Sequence, residues 1–500
     1  MSKNSLKMSV GLGKSTTEKK MKVWLVSILF SVGLLWTLPI PFGGSPDEPT
    51  YLEYGLFQTQ VLTEDSVNES TYRNITRSAC FAFKIDIPAN CQKFEKNSEV
   101  LHLSSTALIN YPKPWFYLTS WPALILNGET ALMYTKFISF LLSFTMLLIP
   151  ILYWKNGLNK LFISIAFGVT PLALSMIGAY NPNNFEIFSG VGIALMLFGQ
   201  KFNESDFRIS RGYWAWLLVM VFLASSAKPL SGIIIFSIFC LYGLFIFRNQ
   251  KIHDKSKLDK FRYRDMKIIS AFGVLSLPIS VMFSWPSISQ AKEIPVGQAE
   301  VNNLYALLNF LIRSHDYFIE HAGLFGWRDL PAAPWMTLVW LILIFVILSK
   351  VNHKMMMTDK AILLVLWIVT IFIAPAAQSI LLAHQYNVGL QTRYLSGIFA
   401  AVAIYTVTML VETSSRFAIN TMKIWTLVAL VNGAWLFIRH SVGITPALTS
   451  GPNLIVDQIR NKVIWIPEAW LYILISLGVT AWLMGVNLEK SDQTRFKGIK

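Results

Sequence analysis

Between Lys22 and Asp47 the chain carries no charged side chain, and nearly all of the stretch from Val23 to Ile40 is apolar. About 20 such residues are enough to cross the hydrocarbon core of a bilayer as one helix. Similar apolar runs bounded by charges fall near 23–41, 131–153, 161–179, 185–200, 212–226, 230–247, 268–286, 334–350, 361–382, 394–412, 423–438 and 466–486. The expected fold is therefore an all-α integral membrane protein with about twelve transmembrane helices. Composition agrees, because 54% hydrophobic against 14% charged residues and a mean hydropathy of +0.48 do not describe a soluble protein. The first run lacks a small-residue cleavage site, so it reads as a retained span and not as a removable signal peptide.

Charge sets the expected orientation. Lys3, Lys7, Lys14, Lys19, Lys20 and Lys22 precede the first span, which places the N-terminus in the cytoplasm. Alternation then puts the basic segment 248–267, with Arg248, Lys251, Lys255, Lys257, Lys260, Arg262, Arg264 and Lys267, on the same side, together with the tail bearing Lys490, Arg495, Lys497 and Lys500. The net charge of +15 is thus a topology signal, and no basic patch in it points to nucleic acid. The domain division expected is a basic cytoplasmic tail at 1–22, a membrane domain at 23–486 with extracytoplasmic loops at 42–130 and 287–333, and a second basic tail at 487–500.

The first of these loops holds Cys80 and Cys91, close enough in sequence for a disulfide in an oxidising compartment. A metal site is the other reading, with His102 as the nearby histidine. Cys240 falls inside a span and reads as an inert filler. The aromatic and proline-rich run at 111–127 suits a helix lying at the membrane interface better than a span. Trp327 and Trp335 flank the second loop, as interfacial anchors or as surfaces for substrate stacking.

On this map the polar clusters gather on one, extracytoplasmic side. They are Asp47-Glu48, Asn181 to Glu186, Lys228, the group Trp327-Arg328-Asp329, and the segment from His384 to Arg393 and Tyr394. Five segments converging on one cavity at the bilayer surface would suit chemistry on a lipid-linked substrate. Prolines on both sides put Asp47-Glu48 on a stiff turn, where a carboxylate is either a general base or a cap of the next helix. Lys228 is a counter-ion for a lipid phosphate or a snorkelling lysine. Arg393 can grip phosphate oxygens in a bidentate fork, or anchor the interface beside Tyr394. Arg328 either joins the phosphate-binding cations or pairs with Asp329. Asn181 and Asn184 offer amides to sugar hydroxyls, or shape a tight turn. Glu186 is a carboxylate near the hydrocarbon edge, and His384 stands at a span end as a substrate contact or a structural histidine. Asp47, Glu48 and Glu186 can also hold a divalent cation between them. No P-loop, dinucleotide fingerprint, zinc-protease motif or nucleophile elbow is present.

In order and spacing, Pro46-Asp47-Glu48-Pro49, Tyr111-Pro112, Thr170-Pro171, Asn181-Pro182-Asn183-Asn184-Phe185-Glu186, Phe325-Gly326-Trp327 and Gln391-Thr392-Arg393-Tyr394 resemble a bacterial family of polytopic membrane proteins defined as a domain of unknown function, one that looks related to the GT-C glycosyltransferases. The resemblance runs from about residue 25 to about residue 440. The chain departs from the family pattern in two places. Tyr51 or Leu52 occupies the approximate place of a histidine after the acidic pair, and Thr392 precedes Arg393 where glycine is usual. Cys80 and Cys91 also look similar to a cysteine pair in actinobacterial members, which supports the disulfide.

The resemblance implies an enzyme of the bacterial cytoplasmic membrane with both termini inside and the active site outside. It would take a sugar from a polyprenyl-phosphate donor and pass it, with inversion, to a cell-envelope acceptor. Asp47 or Glu48 would be the base, and Arg393, Lys228 and Arg328 would hold the leaving phosphate. Asn181, Asn184, Glu186, His384, Tyr394 and Trp327 would contact substrate. The competing expectation is a transporter or flippase of a polyprenyl-linked or amphipathic solute, which internal repeats and mid-membrane charges would mark.

Overall fold

The structure, a computed structural model, describes residues 3–37, 113–126, 128–200, 210–228, 231–252, 259–290, 303–312, 334–350, 357–386, 392–409 and 414–442, with single positions between 40 and 55, between 317 and 331, and at 478 and 482. These residues are almost wholly helical. In chain order the helices are α1 (Lys3–Thr37), α2 (Lys113–Ser120), α3 (Gly128–Tyr153), α4 (Leu158–Gly168), α5 (Pro171–Met176), α6 (Pro182–Phe198), α7 (Arg211–Ser225), α8 (Ser231–Ile252) and α9 (Asp259–Gln290). They continue with α10 (Asn303–Ile312), α11 (Pro334–Ser349), α12 (Met357–Ile368), α13 (Ala374–Tyr386), α14 (Ser396–Met409) and α15 (Ser415–Val442). The strands β1 (Leu324–Phe325) and β2 (Leu330–Pro331) form a small antiparallel pair with Phe325 opposite Leu330.

Three described stretches are long and apolar enough to cross a membrane, Glu18–Thr37, Ala131–Tyr153 and Met357–Ile380. Shorter apolar helices stand at most of the other expected spans. The span expected at 161–179 is instead two helices. Pro171 has no N–H to continue α4, and Thr170 turns its hydroxyl to accept from the Ala173 amide at 3.1 Å, so α5 starts afresh with proline in its first turn. A π-helical turn at Val369–Ile373 joins α12 to α13 just before Pro375, a proline adjusting the hydrogen-bond ladder without breaking the crossing. The loop expected at 287–333 contains the ten-residue helix α10. Cys240 faces outward from α8, as a surface residue and not as filler. Cys80 and Cys91 lie outside the described residues.

The core is organised around α6, all seventeen residues of which are buried. A helix apolar on nearly every side has no face for water, and α3, α5, α7, α8 and α14 surround it. Small residues allow the closest crossings, with Gly190 of α6 against Gly397 of α14. A methyl group on Gly192 would collide with the Met146 carbonyl of α3, a backbone atom that cannot turn aside. Gly192→Ala is therefore expected to lower stability by about 1–3 kcal/mol, read from denaturant unfolding in detergent. An unchanged midpoint would mean that α3 and α6 can separate freely. Outward faces carry Phe222, Ile233, Val281, Phe345 and Phe372, as a surface that meets lipid does.

The bundle has two distinct ends. At one, Lys22 donates to the carbonyls of Trp154 at 2.9 Å and Leu152 at 3.4 Å, and Lys160 to that of Thr408 at 2.9 Å. These ammonium groups satisfy carbonyls that the ends of α3 and α14 leave without helical partners. At the other end α1 finishes, α3, α6 and α14 begin, and the polar residues gather.

The eight-residue α2 is far too short to cross, rising only about 12 Å. Its Trp115 and Phe116 are buried while Tyr117 and Leu118 are exposed, with Trp121 exposed just beyond, the two-faced arrangement of a helix that lies along an interface.

Candidate functional site

Glu48 is fully buried. Its Oε1 accepts the Tyr180 amide at 2.9 Å and faces Lys136 Nζ at 3.5 Å, and its Oε2 accepts the Ser45 amide at 3.4 Å. Lys136, on α3, also donates to the Ile40 carbonyl at 2.9 Å. One carboxylate thus joins the end of α1, the beginning of α3 and the turn before α6. The stiff, non-helical turn expected at this position is not what forms: Glu48 is itself helical, with positions 51, 52, 54 and 55 helical after it. First-turn N–H groups have no intrahelical partners, so prolines near a helix start are no bar to one. Aromatic rings cover the assembly. Phe116 meets Tyr54 edge-on at 4.6 Å, Trp115 lies 4.7 Å from Tyr180, and the Tyr180 phenol bonds Ser120. Asp47 lies outside the described residues.

The turn before α6 is held by its own amides. Asn181 caps the helix by accepting the Asn183 amide at 2.9 Å, with Pro182 next in the first turn. Asn184 donates to Ser139 Oγ at 2.6 Å and to the Ala179 carbonyl at 3.0 Å, tying the turn to α3. One helical turn in, Glu186 lies 3.6 Å from Lys228 Nζ and accepts from the Ser231 hydroxyl. Lys228 also donates to the Asn183 side-chain oxygen and stands 3.8 Å from the centroid of the Tyr394 ring. Arg393 Cζ is 5.2 Å from the centroid of the same ring. Two cations from distant segments thus meet at one aromatic ring, each attracted to its quadrupole. Lys228 and Arg393 are 5% and 9% exposed, so both charges are largely withdrawn from solvent.

Thr392, beside Arg393, leads to a third group. Its amide donates to Glu320 Oε2 at 3.1 Å, and the next residue, His321, stacks on Phe399 of α14 at 4.3 Å and meets Tyr317 edge-on at 4.8 Å. Burial among these rings pushes the imidazole down to about 3, against about 6.5 for an exposed histidine. Below about pH 6.5 the unfolded chain takes up a proton that the folded one refuses, so the stability due to this group is complete above that pH and declines as the pH falls toward the folded value. The slope is about 1.4 kcal/mol per pH unit. Unfolding midpoints in detergent should therefore drop between pH 7 and pH 5, and His321→Phe should flatten the decline; equal slopes in the two proteins would refute the assignment.

Of the residues expected at a site, Glu48, Asn181, Asn184, Glu186, Lys228, Arg393 and Tyr394 are brought to this one end of the bundle. Trp327, Arg328 and Asp329 lie outside the described residues, between the two short strands in sequence, and His384 stands in the last turns of α13. Lys136, Ser231, Glu320 and His321 were not anticipated. Lys136 had a signal, as the one charge within the run 131–153. Glu320 and His321 had none, since only the fold sets them against Thr392 and Phe399. Among the described residues no three of His, Cys, Asp and Glu are grouped to hold a metal ion, and Glu48 and Glu186 each face a lysine of their own.

A family model described as "Predicted membrane protein (DUF2142)" matches residues 30–402. No curated protein and no solved structure matches the chain.

Proposed function

We propose, from the premise that the chain belongs to the DUF2142 family of predicted membrane proteins, that it is a GT-C-type glycosyltransferase. It has about twelve transmembrane helices and its site opens on the outer face of a bacterial cytoplasmic membrane. The donor is a sugar on a polyprenyl phosphate, and the acceptor is a hydroxyl of a cell-envelope glycan, lipid or protein. The observation that carries this reading is the meeting of Lys228 and Arg393 on the Tyr394 ring, at the end of the bundle away from Lys22. Paired cations at a membrane edge suit a lipid phosphate, and burial strengthens their hold on the charge that develops as it leaves.

The chemistry assigns separate tasks to the acidic pair. Both Glu48 oxygens accept backbone amides, and one faces Lys136, so this carboxylate positions the segment while Asp47 takes the proton of the acceptor hydroxyl. The acceptor oxygen attacks the anomeric carbon, and the bond from that carbon to the phosphate oxygen breaks with its electron pair going to the phosphate. Arg393 and Lys228, assisted by Arg328, stabilise the leaving group. Asn181 and Asn184 shape the turn that presents Glu186, and Trp327 and His384 are further contacts for donor or acceptor.

The test is transfer of radiolabelled sugar from a panel of polyprenyl-phosphate donors to envelope acceptors by purified protein. Arg393→Ala is expected to lower turnover by about 10²- to 10³-fold, with Arg393→Lys intermediate because it keeps the charge and loses the fork. Absence of turnover from every donor by the unaltered protein would sink the transferase reading and favour transport.

A further inference from the structure

Among the asparagines that begin α6, Asn183 differs from its neighbours. Asn181 caps the helix, and Asn184 ties it to α3 through Ser139. Asn183 is fully buried, and its Oδ1 accepts from Lys228. An ammonium group only donates, so the amide oxygen must be the atom turned to Lys228, and the NH₂ group points elsewhere. There Nδ2 has no hydrogen-bond partner. Buried donors are normally matched, and one that is not asks for an explanation in function.

The contacts around Asn183 indicate what could match it. The first backbone N–H groups of α6 are already taken, that of Asn183 by the Asn181 side chain and that of Asn184 by the Asn181 carbonyl. What this helix start offers is therefore side chains. Lys228 links Asn183 to the Tyr394 ring, 3.8 Å away, and Arg393 stands 5.2 Å from the same ring. Amide NH₂, ammonium and guanidinium all donate, while the Asn183 oxygen is used by Lys228. Glu186, the carboxylate in contact with Lys228, is also engaged by the Ser231 hydroxyl. A hydroxyl ligand would bring a proton of its own, whereas the oxygens of an ionised phosphate only accept and so complement a set of donors. The cations also stand at helix starts, Lys228 against the first turns of α6 and Arg393 directly before α14. Positive charge is disfavoured there and an anion is favoured.

We propose that Asn183 is a phosphate-binding residue, its side-chain NH₂ donating to an oxygen of the phosphate that Lys228 and Arg393 attract. That the phosphate carries a polyprenyl chain rests on the transferase reading; the match of donors to an anion does not. On this arrangement the asparagine works with both ends, its oxygen fixing the ammonium of Lys228 and its nitrogen meeting the ligand. Asn181 and Asn184 then build the turn, and the residue between them in the first turn makes the contact.

The amide itself is the readout. Protein labelled with ¹⁵N-asparagine is placed in nanodiscs, and the side-chain NH₂ signal missing from Asn183→Asp assigns residue 183. In the unaltered protein this signal should shift on titration with dodecyl phosphate and stay in place with dodecanol, which has the chain and no phosphate. Inorganic phosphate is the second arm. A shift with dodecyl phosphate alone identifies a lipid phosphate, and the same shift with both identifies the phosphate group by itself as sufficient. Asn183→Asp keeps an oxygen for Lys228 and removes the donor, so its unfolding midpoint should not fall while dodecyl phosphate binding weakens by about tenfold or more. A signal unmoved at saturation would mean that the amide meets water and not phosphate, and would overturn the assignment, as would equal binding in Asn183→Asp and wild type. If dodecyl phosphate shifts the signal but no polyprenyl-phosphate donor is turned over, the phosphate contact stands and the transferase reading falls. Turnover with the signal unmoved would do the reverse.

Discussion

On the proposed transferase function, Asp47→Asn is expected to leave a folded protein whose sugar transfer is lower by about 10²- to 10⁴-fold, the usual contribution of a general base. The amide keeps the size and hydrogen-bonding capacity of the side chain and removes its ability to take a proton. Glu48→Gln should behave differently. Its carboxylate is fully buried and joined to Lys136, the Tyr180 amide and the Ser45 amide, so its loss disturbs the fold first and the reaction through it. The discriminating measurement is turnover per folded molecule in both variants, with donor binding measured alongside. If Glu48→Gln were stable and inactive while Asp47→Asn remained active, the roles would be exchanged.

The second large effect is on stability. Lys136 and Glu48 are 8% and 0% exposed in their side chains, and Lys136→Met would remove the ammonium group that faces the carboxylate. Removing one partner of a buried pair costs about 3–5 kcal/mol, while replacing both by uncharged groups of similar volume is often close to neutral. Lys136→Met should therefore unfold at markedly lower denaturant in detergent, and the double variant Lys136→Met/Glu48→Gln should recover much of the loss. A single variant as stable as wild type would mean that the pair holds nothing together. Recovery in the double variant would also separate fold from chemistry, because a stable double variant that retains transfer cannot have lost its base.

The membrane class and most helix positions were legible in the sequence because they follow from local quantities, the length of an apolar run and the charges that bound it. Where a second local rule intervened, the reading was coarser: Thr170-Pro171 divides one expected span into α4 and α5, because a cap and a proline together favour a new start. The candidate site was legible in part for the same reason. Glu186, Lys228 and Arg393 stand out as charges at the ends of apolar runs, and the fold does bring them together. What each one touches was not legible. That Asn181 caps a helix, that Asn184 ties a turn to Ser139, and that Glu48 is paired with Lys136 are facts of tertiary packing. His321 was invisible for the same reason, since only the fold sets it against Phe399 and Tyr317.

Lys22 holds the carbonyls at the far end of α3, more than a hundred residues downstream. It is also the last basic residue before the first apolar run. One ammonium group therefore closes the end of one helix from within another, so α1 and α3 are joined at that end as well as along the faces they pack together. Moving this lysine by one residue would preserve the charge count and lose both bonds, and a lower unfolding midpoint in detergent would be the sign.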